Sequence, residues 1–409
     1  MYSTWKAGAV VTMESDIANY PTLAASEFSS AFSSYMSAGL YPARIRWDAK
    51  SGDVNCKIDD PNASGTEASR GCVVSEGIGY GMLIALFQGD WDTFNRLWYY
   101  NKGYRTYSST DLMPWEVNTF TSFTPGGSAS ATDADMDIAA SLVLAYYKTG
   151  NTVYLDDAKL IINALWTDEI NPSNYYIYSG NTPVWKNEVN YNLSYFSPVA
   201  LRLFAVVDPS HNWTAVLNAG YAYMAAVQAG GGSGLLPDWS DATNNAAVKP
   251  INSKDDDHYW QFYQEAVRIP WRLAWDYYWT AEPRAKSILD GIAAFISTRT
   301  GANPAAIQPV TYSYYAAYTD SIITGYSASG YFPYSWKSQY TTSVAPHFLG
   351  AWCLAGMAGY NSYAWLNSCT NTFNGTVMST TYNYFPQILQ MMYSELLNGL
   401  FVKPAGLSF

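Results

Sequence analysis

The clearest helical stretch of the chain reads Ile138-Ala-Ala-Ser-Leu-Val-Leu-Ala-Tyr-Tyr147. Apolar side chains occupy nearly every position, so they face all sides of a helix and do not form a single stripe. This pattern is typical of a helix buried inside a helical protein. The same periodicity recurs on both sides of the stretch. It predicts twelve helices near residues 23–38, 74–88, 90–102, 134–149, 153–166, 195–207, 209–228, 259–278, 282–298, 345–359, 360–373 and 383–400.

Short and long connections alternate between the predicted helices. Tight turns such as Gln88-Gly-Asp90 and Thr149-Gly-Asn-Thr152 join helices into antiparallel pairs. Six such hairpins closing on themselves predict an all-α (α/α)6 barrel, and one barrel of this kind accounts for residues 1–409 as a single domain. The long loops then emerge together and form a cleft on one face. They cover residues 39–73, 103–133, 167–194, 229–258 and 299–344.

The composition excludes several classes of protein. Of the 409 residues, 49% are hydrophobic and only 13% are charged, which excludes a disordered chain. The net charge is −11 and no run of Lys or Arg occurs, so a nucleic-acid partner is not expected. No stretch approaches the ~18 consecutive apolar residues of a membrane helix, so no membrane partner is expected. We expect a monomer.

The cysteines form two local pairs, and we predict the disulfides Cys56–Cys72 and Cys353–Cys369. Four Asn-x-Ser/Thr sequons begin at Asn62, Asn192, Asn212 and Asn374. Together these features favour a secreted protein. The first residues lack the apolar region of a signal peptide, so we expect that the signal is absent from this chain.

One candidate site residue, Glu76, lies in Val74-Ser-Glu-Gly-Ile-Gly-Tyr-Gly-Met-Leu-Ile-Ala-Leu86. The segment is the point where a long loop enters a helix. Each glycine in it weakens the helix by about 1 kcal/mol relative to alanine, so a close approach of a ligand or a neighbouring helix must compensate. A capping acid in a tightly packed helix and a functional carboxylate both fit this pattern.

A second candidate, Asp133, lies in Ala131-Thr-Asp-Ala-Asp-Met-Asp-Ile-Ala139. The segment fails as a calcium loop, since position six is Ile138 and position twelve is Leu144. We interpret it as a helix N-terminus that Thr132 or Asp133 caps. Capping explains one or two acids but not three beside an apolar helix, which favours a functional role for Asp133.

A third candidate is Glu265, which lies three residues before Arg268 within a predicted helix. This spacing places both side chains on one helical face, where the guanidinium favours an ionised carboxylate suited to a general base. A structural ion pair is the alternative. Upstream, the run Asp255–Asp257 fits either a solvated loop or further acidic site residues.

Aromatic residues concentrate in or beside the same long loops. They suit stacking on the apolar faces of sugar rings, and paired carboxylates among them point to glycoside hydrolysis. The three histidines stand in no nucleophile or zinc context, so neither a metal nor an organic cofactor is expected. The aromatic candidates are Trp115, Trp185, Tyr191, Tyr195, Trp239, Tyr259, Trp260 and Tyr263.

The motifs around these candidates resemble glycoside hydrolase family 8. The resemblance rests on the Glu76 and Asp133 segments and on the last helix, which reads Tyr384-Phe-Pro-Gln-Ile-Leu-Gln-Met-Met-Tyr-Ser-Glu-Leu-Leu-Asn-Gly-Leu-Phe401. Two shorter motifs, Leu235-Leu-Pro-Asp-Trp239 and Ala266-Val-Arg-Ile-Pro-Trp-Arg-Leu-Ala274, lie between them in the family's order.

The resemblance implies an inverting (α/α)6 glycosidase acting on a polysaccharide. Proteins of that family include endoglucanases, xylanases, chitosanases and lichenases. By motif position, Glu76 is similar to the general acid and Asp133 to the aspartate that holds the distorted sugar. Trp115, Tyr195 and Arg268 resemble substrate-binding residues, and we add Trp185, Tyr263 and Asp257 to that set. An endo-acting β-1,4-glycosidase for cellulose, β-glucan or xylan is expected.

The chain departs from the family pattern at the base. The usual Tyr-Asp-Ala-x-Arg reads Gln264-Glu-Ala-Val-Arg268 here. Either Glu265 replaces the aspartate, which we prefer, or an aspartate of the loop 240–258 supplies the base. A chitosanase and a non-catalytic carbohydrate-binding barrel remain alternatives.

Overall fold

The structure is a computed structural model that describes residues 1–19, 32–47, 73–118, 124–125, 127–250, 259–308, 311–316, 344–379 and 384–409. These residues fall into two compact units. The first contains the described residues of Met1–Leu165 and Met378–Met392. The second contains those of Trp166–Phe332, Trp336–Val377 and Tyr393–Phe409. The single domain over residues 1–409 stays a prediction.

The first unit is helical, with two small antiparallel sheets. Strand β1 (Val10–Thr12) pairs with β2 (Ala43–Ile45), and β4 (Glu116–Asn118) lies between β3 (Val73–Val74) and β5 (Thr124–Pro125). The helices are α1 (Tyr2–Ala9), α2 (Met13–Asn19), α3 (Ser33–Ser37), α4 (Ser75–Gln88), α5 (Trp91–Arg105), α6 (Thr132–Thr149) and α7 (Thr152–Asp168), the last of which ends in the second unit.

Helices α4 and α6 form the core of the first unit. Every residue of α6 from Thr132 to Ala145 is buried, which confirms the prediction from its all-round apolar pattern. Helix α4 packs against both α5 and α6, and only Glu76 and Gln88 of its residues are not fully buried. Two helices buried on all sides suit a central position.

The glycines of α4 permit this close packing. A Cβ on Gly79 would lie 3.1 Å from Asp137 Cβ and 3.2 Å from the Ala134 carbonyl oxygen, both in α6. A Cβ on Gly81 would lie 2.8 Å from the Ile45 side chain. The glycines lower the intrinsic stability of α4, but neighbouring elements pack into the space that a larger side chain would occupy, which compensates for this loss.

The second unit is a set of helical pairs with short strands. Strand β6 (Ser240–Asp241) pairs with β7 (Ala246–Ala247), and β8 (Gln261–Phe262) pairs with β9 (Tyr312–Ser313). Short 3₁₀ turns cover Glu188–Asn190, Leu193–Tyr195, Ala266–Arg268, Pro304–Ala306 and Gly356–Ala358. The helices are α8 (Pro198–Val207), α9 (Trp213–Gly231), α10 (Ile269–Thr280), α11 (Pro283–Thr300), α12 (Pro346–Ala355), α13 (Tyr363–Asn374) and α14 (Tyr384–Leu397), which begins in the first unit.

Consecutive helices of the second unit pack together, as the tight turns predict. Helix α8 contacts α9, α10 contacts α11, and α12 contacts α13. The disulfide Cys353–Cys369 joins α12 to α13, which confirms the predicted pairing. The other predicted pair, Cys56–Cys72, lies outside the described residues. None of the helices in the described ranges combines the length and apolarity needed to cross a membrane.

The predicted helix over residues 259–278 is wrong in its first ten positions. Residues Gln261–Phe262 form β8, and α10 begins only at Ile269. The buried carboxylate of Asp238 accepts hydrogen bonds from the backbone N–H groups of Tyr263 (2.9 Å) and Ala266 (2.8 Å). These bonds stabilise a turn where periodicity suggested a helix, and Pro270 then fits the first turn of α10.

Other predicted starts also differ, and the helices expected from residues 209 and 360 begin at Trp213 and Tyr363. The helix expected from residue 195 begins at Pro198, since the proline fits the first helical turn and Leu193–Tyr195 forms a separate 3₁₀ turn. Of the helix expected over 23–38, residues 23–31 lie outside the described chain and Ser33–Ser37 is helical. Helices α1 and α2 were not predicted, because each is shorter than the windows in which periodicity is visible.

Replacing Ala281 with glycine is expected to stabilise the protein. Ala281 follows α10 in the left-handed conformation (φ 55°, ψ 33°), which costs an L-residue about 1–2 kcal/mol and glycine very little. Glycine also gives the unfolded chain more conformational entropy, which offsets part of this gain. The net increase in unfolding free energy is then about 0.5–1 kcal/mol. Urea denaturation measures it. The control Ala226→Gly, at an exposed position inside α9, should destabilise by about 1 kcal/mol. Equal losses in both variants would contradict the prediction.

Candidate active site

Glu76 lies in the first turn of α4, directly after the sheet β3–β4–β5. The backbone N–H of Ser75 donates to the Trp115 carbonyl oxygen (2.8 Å), so Trp115 lies beside the start of the helix. The Glu76 side chain is half-buried, whereas its neighbours Ser75 and Gly77 are buried. A carboxylate in this position interacts favourably with the helix dipole and keeps partial access to solvent.

Tyr384 holds the carboxyl group of Glu76. Its hydroxyl donates to Glu76 Oε1 at 2.6 Å across 308 residues of sequence. Tyr384 begins α14, is 4% exposed, and belongs to the same compact unit as Glu76. Its ring lies against Gly77, where a Cβ would come within 3.1 Å of Tyr384 Cε2. In the sequence, Tyr384 begins the motif of the last helix, but no local pattern links it to Glu76.

Asp133 lies in the first turn of α6 and is 2% exposed. The expectation that Thr132 or Asp133 caps this helix is wrong, because Ala131 occupies the N-cap position and no side chain caps it. Gly79 brings α4 against this same turn of α6, so the helices that carry Glu76 and Asp133 pack at their N-terminal ends. Burial of a carboxylate is costly, and the dipole of α6 offsets part of this cost because Asp133 lies in the first turn.

Asp135 has a supporting role in the same region. Its Oδ1 accepts a hydrogen bond from the backbone N–H of Met113 (3.2 Å), two residues before Trp115. The Trp115 backbone is held further by the bond from its N–H to the Ala129 carbonyl oxygen (2.8 Å). The half-buried Trp115 is thereby fixed on a segment attached to both α4 and α6.

Glu265 lies in the second unit at the N-cap of the 3₁₀ turn Ala266–Arg268 and not inside a helix. Its side chain is 27% exposed and forms an ion pair with Arg268, as the i,i+3 spacing predicts. The Asn192 amide donates to the same oxygen, Glu265 Oε2, at 2.5 Å. Within the described residues, the hydrogen bonds from Asn192 and Arg268 are thus both accepted by Glu265 Oε2. Sequence reasoning noted Asn192 only as the start of a sequon.

Two aromatic features lie in the same unit as Glu265. The Arg268 guanidinium carbon lies 5.5 Å from the centre of the Tyr195 ring, a cation–π arrangement. Trp185 and Trp239, both half-buried, lie with ring centroids 5.8 Å apart at 31°. Half-buried indole rings of this kind present apolar faces suited to sugar rings.

Two other aromatic candidates are buried, and a third candidate falls on residues that the structure does not describe. Tyr263 is 4% exposed, and its ring packs 6.0 Å from that of Phe348, which makes it a buried residue of the turn. Tyr191 is also buried. Asp257, with the rest of the run Asp255–Asp257, lies outside the described residues.

Two further observations concern His347 and the arrangement of possible metal ligands in the described residues. His347 is fully buried, and burial lowers the pKa of its imidazole to about 3, so it is neutral at neutral pH. Across the described residues, no group of three or more His, Cys, Asp and Glu side chains is arranged to hold a metal ion.

Comparison with known proteins identifies relatives of most of the chain. The sequence matches the family model described as Glycosyl hydrolases family 8 over residues 53–342. It is 32% identical to endoglucanase C of Ruminiclostridium cellulolyticum over 336 residues, which is 80% of this chain and 64% of that protein. This chain thus spans less than two thirds of that relative. It is 28% identical to a beta-glucanase of Niallia circulans, covering 84% of this chain and 88% of that one.

A solved structure shares the fold. The beta-1,3-1,4-glucanase from Paenibacillus sp. X4 superposes with a TM-score of 0.68 at 22% identity, covering 97% of this chain and 90% of that chain. The fold class is an (α/α)6 barrel, as the alternation of short and long connections predicts. The motifs, the fold and the match over residues 53–342 agree, and the chain belongs to glycosyl hydrolases family 8.

Proposed function

We propose that this protein is an endo-acting glycosidase that cleaves a β-1,4-linked polysaccharide, and that the reaction inverts the configuration at the anomeric carbon. The proposed substrate is cellulose or another β-glucan, or xylan. Membership of glycosyl hydrolases family 8 supports the hydrolase class. The names of the relatives, an endoglucanase and a beta-glucanase, support a glucan substrate.

The observation that carries the proposal is the environment of Glu76. An acid that protonates a leaving oxygen needs partial desolvation, because burial favours the neutral carboxyl group. Glu76 is half-buried and lies next to the apolar body of α4, and the hydrogen bond from the Tyr384 hydroxyl fixes the orientation of its carboxyl group. We assign Glu76 as the general acid that protonates the glycosidic oxygen.

Glu265 is our candidate for the general base. Arg268 and Asn192 both donate to its Oε2, which favours the ionised carboxylate that a base needs. Its other oxygen, Oε1, is then suited to accept a hydrogen bond from the attacking water. In the inverting mechanism this water adds to the anomeric carbon opposite the departing sugar and gives its proton to the base.

The remaining candidates would bind the sugar. Asp133, buried beside the start of α4, would stabilise a distorted ring and the positive charge that develops on it. Trp115, Trp185 and Tyr195 would stack on sugar faces, and Arg268, which also pairs with Glu265, would contact the sugar. Tyr263 and Asp257 stay in the proposed set on the sequence argument alone.

We further infer that the protein acts outside the cell. The disulfide Cys353–Cys369 supports this, since stable disulfides belong mainly to oxidising compartments. A monomer remains our expectation, and gel filtration measures it.

Reducing-sugar release from carboxymethylcellulose, lichenan, xylan and chitosan tests the activity. We expect release from a glucan or xylan together with a rapid fall in viscosity, which distinguishes internal from terminal cleavage. Proton NMR of the first product should show the α-anomer. Release from chitosan alone would support the chitosanase, and binding without release would favour a carbohydrate-binding protein.

Tyr384→Phe is expected to lower kcat about tenfold. The variant keeps the ring that packs on Gly77 and removes only the hydroxyl that donates to Glu76 Oε1, a hydrogen bond worth about 1–1.5 kcal/mol. Losing a donor to the carboxylate favours the protonated acid, so the basic limb of the kcat/KM profile should move to higher pH. Tyr363→Phe, at a tyrosine that is 83% exposed, is the matched control. An unchanged basic limb would contradict the assigned contact.

A further inference from the structure

The Asn192 side chain is a buried amide that contacts a candidate catalytic carboxylate. Asn192 is 1% exposed and caps the 3₁₀ turn Leu193–Tyr195. Its Nδ2 donates to Glu265 Oε2 at 2.5 Å across 73 residues of sequence. Burying an amide is costly unless its hydrogen bonds are made. The contact with Glu265 therefore supplies a hydrogen bond that the buried Asn192 side chain needs.

Ser194 determines which way this amide points. The Asn192 Oδ1 accepts hydrogen bonds from the Ser194 backbone N–H (3.0 Å) and from the Ser194 hydroxyl (2.7 Å). Two donors on one atom identify it as the oxygen, and the other atom of the amide must then be the nitrogen. The hydrogen-bond network therefore makes Asn192 a donor to Glu265 and not an acceptor.

The same short segment also contacts the arginine partner of Glu265. Tyr195 presents its ring to the Arg268 guanidinium, and Arg268 is 3% exposed. The segment Asn192–Tyr195 thus contacts both members of the ion pair. Asp238 also fixes the backbone at Tyr263 and Ala266, which precede and follow Glu265 in the sequence.

We propose that Asn192 is a positioning residue for Glu265, which rests on the proposed role of Glu265 as general base. The amide and Arg268 hold Oε2 from two directions, so the carboxylate has one orientation and Oε1 receives the water. A glutamate has one more rotatable bond than an aspartate, and a second donor offsets this freedom. Because the amide is neutral, it orients the carboxylate without a second full positive charge.

Asn192→Asp is the sharpest test of this role. The variant has nearly the same shape and keeps an oxygen for both bonds from Ser194. It replaces the donor to Glu265 with a second carboxylate oxygen, and two carboxylates at this distance share a proton. We expect kcat to fall at least tenfold at neutral pH with little change in KM, and the acidic limb of the kcat/KM profile to move to higher pH by about one unit or more.

Asn187→Asp is the matched control. Asn187 caps the preceding 3₁₀ turn in the same way, with its Oδ1 accepting from the Val189 N–H (3.0 Å), but its amide donates to the Val184 carbonyl oxygen and not to a carboxylate. The same chemical change five residues earlier should leave kcat and the acidic limb unchanged.

Asn192→Ser is the second variant, for use if Asn192→Asp does not fold. Serine is a good N-cap, so its hydroxyl replaces the cap to Ser194 while the donor to Glu265 is removed. It should lower kcat and move the acidic limb in the same direction by a smaller amount. A folded variant of either kind with the kcat and acidic limb of the wild type would overturn the proposal.

Failure of the proposed function gives a different result. If wild-type protein releases no sugar from any substrate, the glycosidase proposal itself is wrong. If Glu265→Ala is inactive and recovers activity with azide, the base assignment holds, and the Asn192 variants then test only the positioning role.

Discussion

Glu76→Gln is expected to lower kcat by about 10²–10⁴-fold or more while oligosaccharide binding stays largely intact. Glutamine has the size and shape of glutamate and still accepts the Tyr384 hydroxyl, but it has no proton to give to the leaving oxygen. Loss of turnover without loss of binding indicates an interaction made only in the transition state. Initial rates on the best substrate and calorimetric titration with a cello- or xylo-oligosaccharide measure the two quantities.

A surface glutamate provides the control for this prediction. Glu14→Gln changes a side chain that is 43% exposed and pairs with Arg96 in the same unit, so it should keep the kcat of the wild type. If Glu76→Gln retained most of the wild-type kcat, Glu76 would not be the acid.

Glu265→Ala is expected to lose about 10²–10⁴-fold in kcat and to recover part of it with azide. The alanine removes the base and leaves a space beside Arg268 that a small anion enters. Azide then forms a bond to the anomeric carbon as the glycosidic bond breaks, and the departing sugar takes the proton of Glu76. The product should be a glycosyl azide with the opposite anomeric configuration to the substrate.

The alternative base gives a distinct outcome. If Glu265→Ala stays active while Asp257→Ala, or alanine at Asp255 or Asp256, is inactive, the loop supplies the base.

Asp276→Asn is unsuitable as a control because Asp276 is fully buried and bonded to Arg202 and Tyr221. Asp290→Asn, at a half-buried aspartate of α11 that pairs with Lys286, is suitable and should keep wild-type activity.

Several features of this protein could be predicted from local sequence. The apolar run around Ile138 implies a buried helix whatever surrounds it, because no face of that helix is polar. The glycines after Glu76 imply a close neighbour, since their cost to an isolated helix requires compensation. Cys353 and Cys369, sixteen residues apart, were paired correctly because local spacing left few alternatives. The motifs also identified the family, which the comparisons confirmed.

Other features depended on contacts between distant parts of the chain. Periodicity predicted a helix around Glu265, but the carboxylate of Asp238 stabilises a turn there. The hydroxyl of Tyr384 reaches Glu76 across 308 residues, and the amide of Asn192 reaches Glu265 across 73. Residue types and short spacings therefore determined the helices, their pairing and the candidate carboxylates of this protein. Only the tertiary structure decided the partners of those carboxylates, because a hydrogen bond depends on position in space, which local periodicity does not contain.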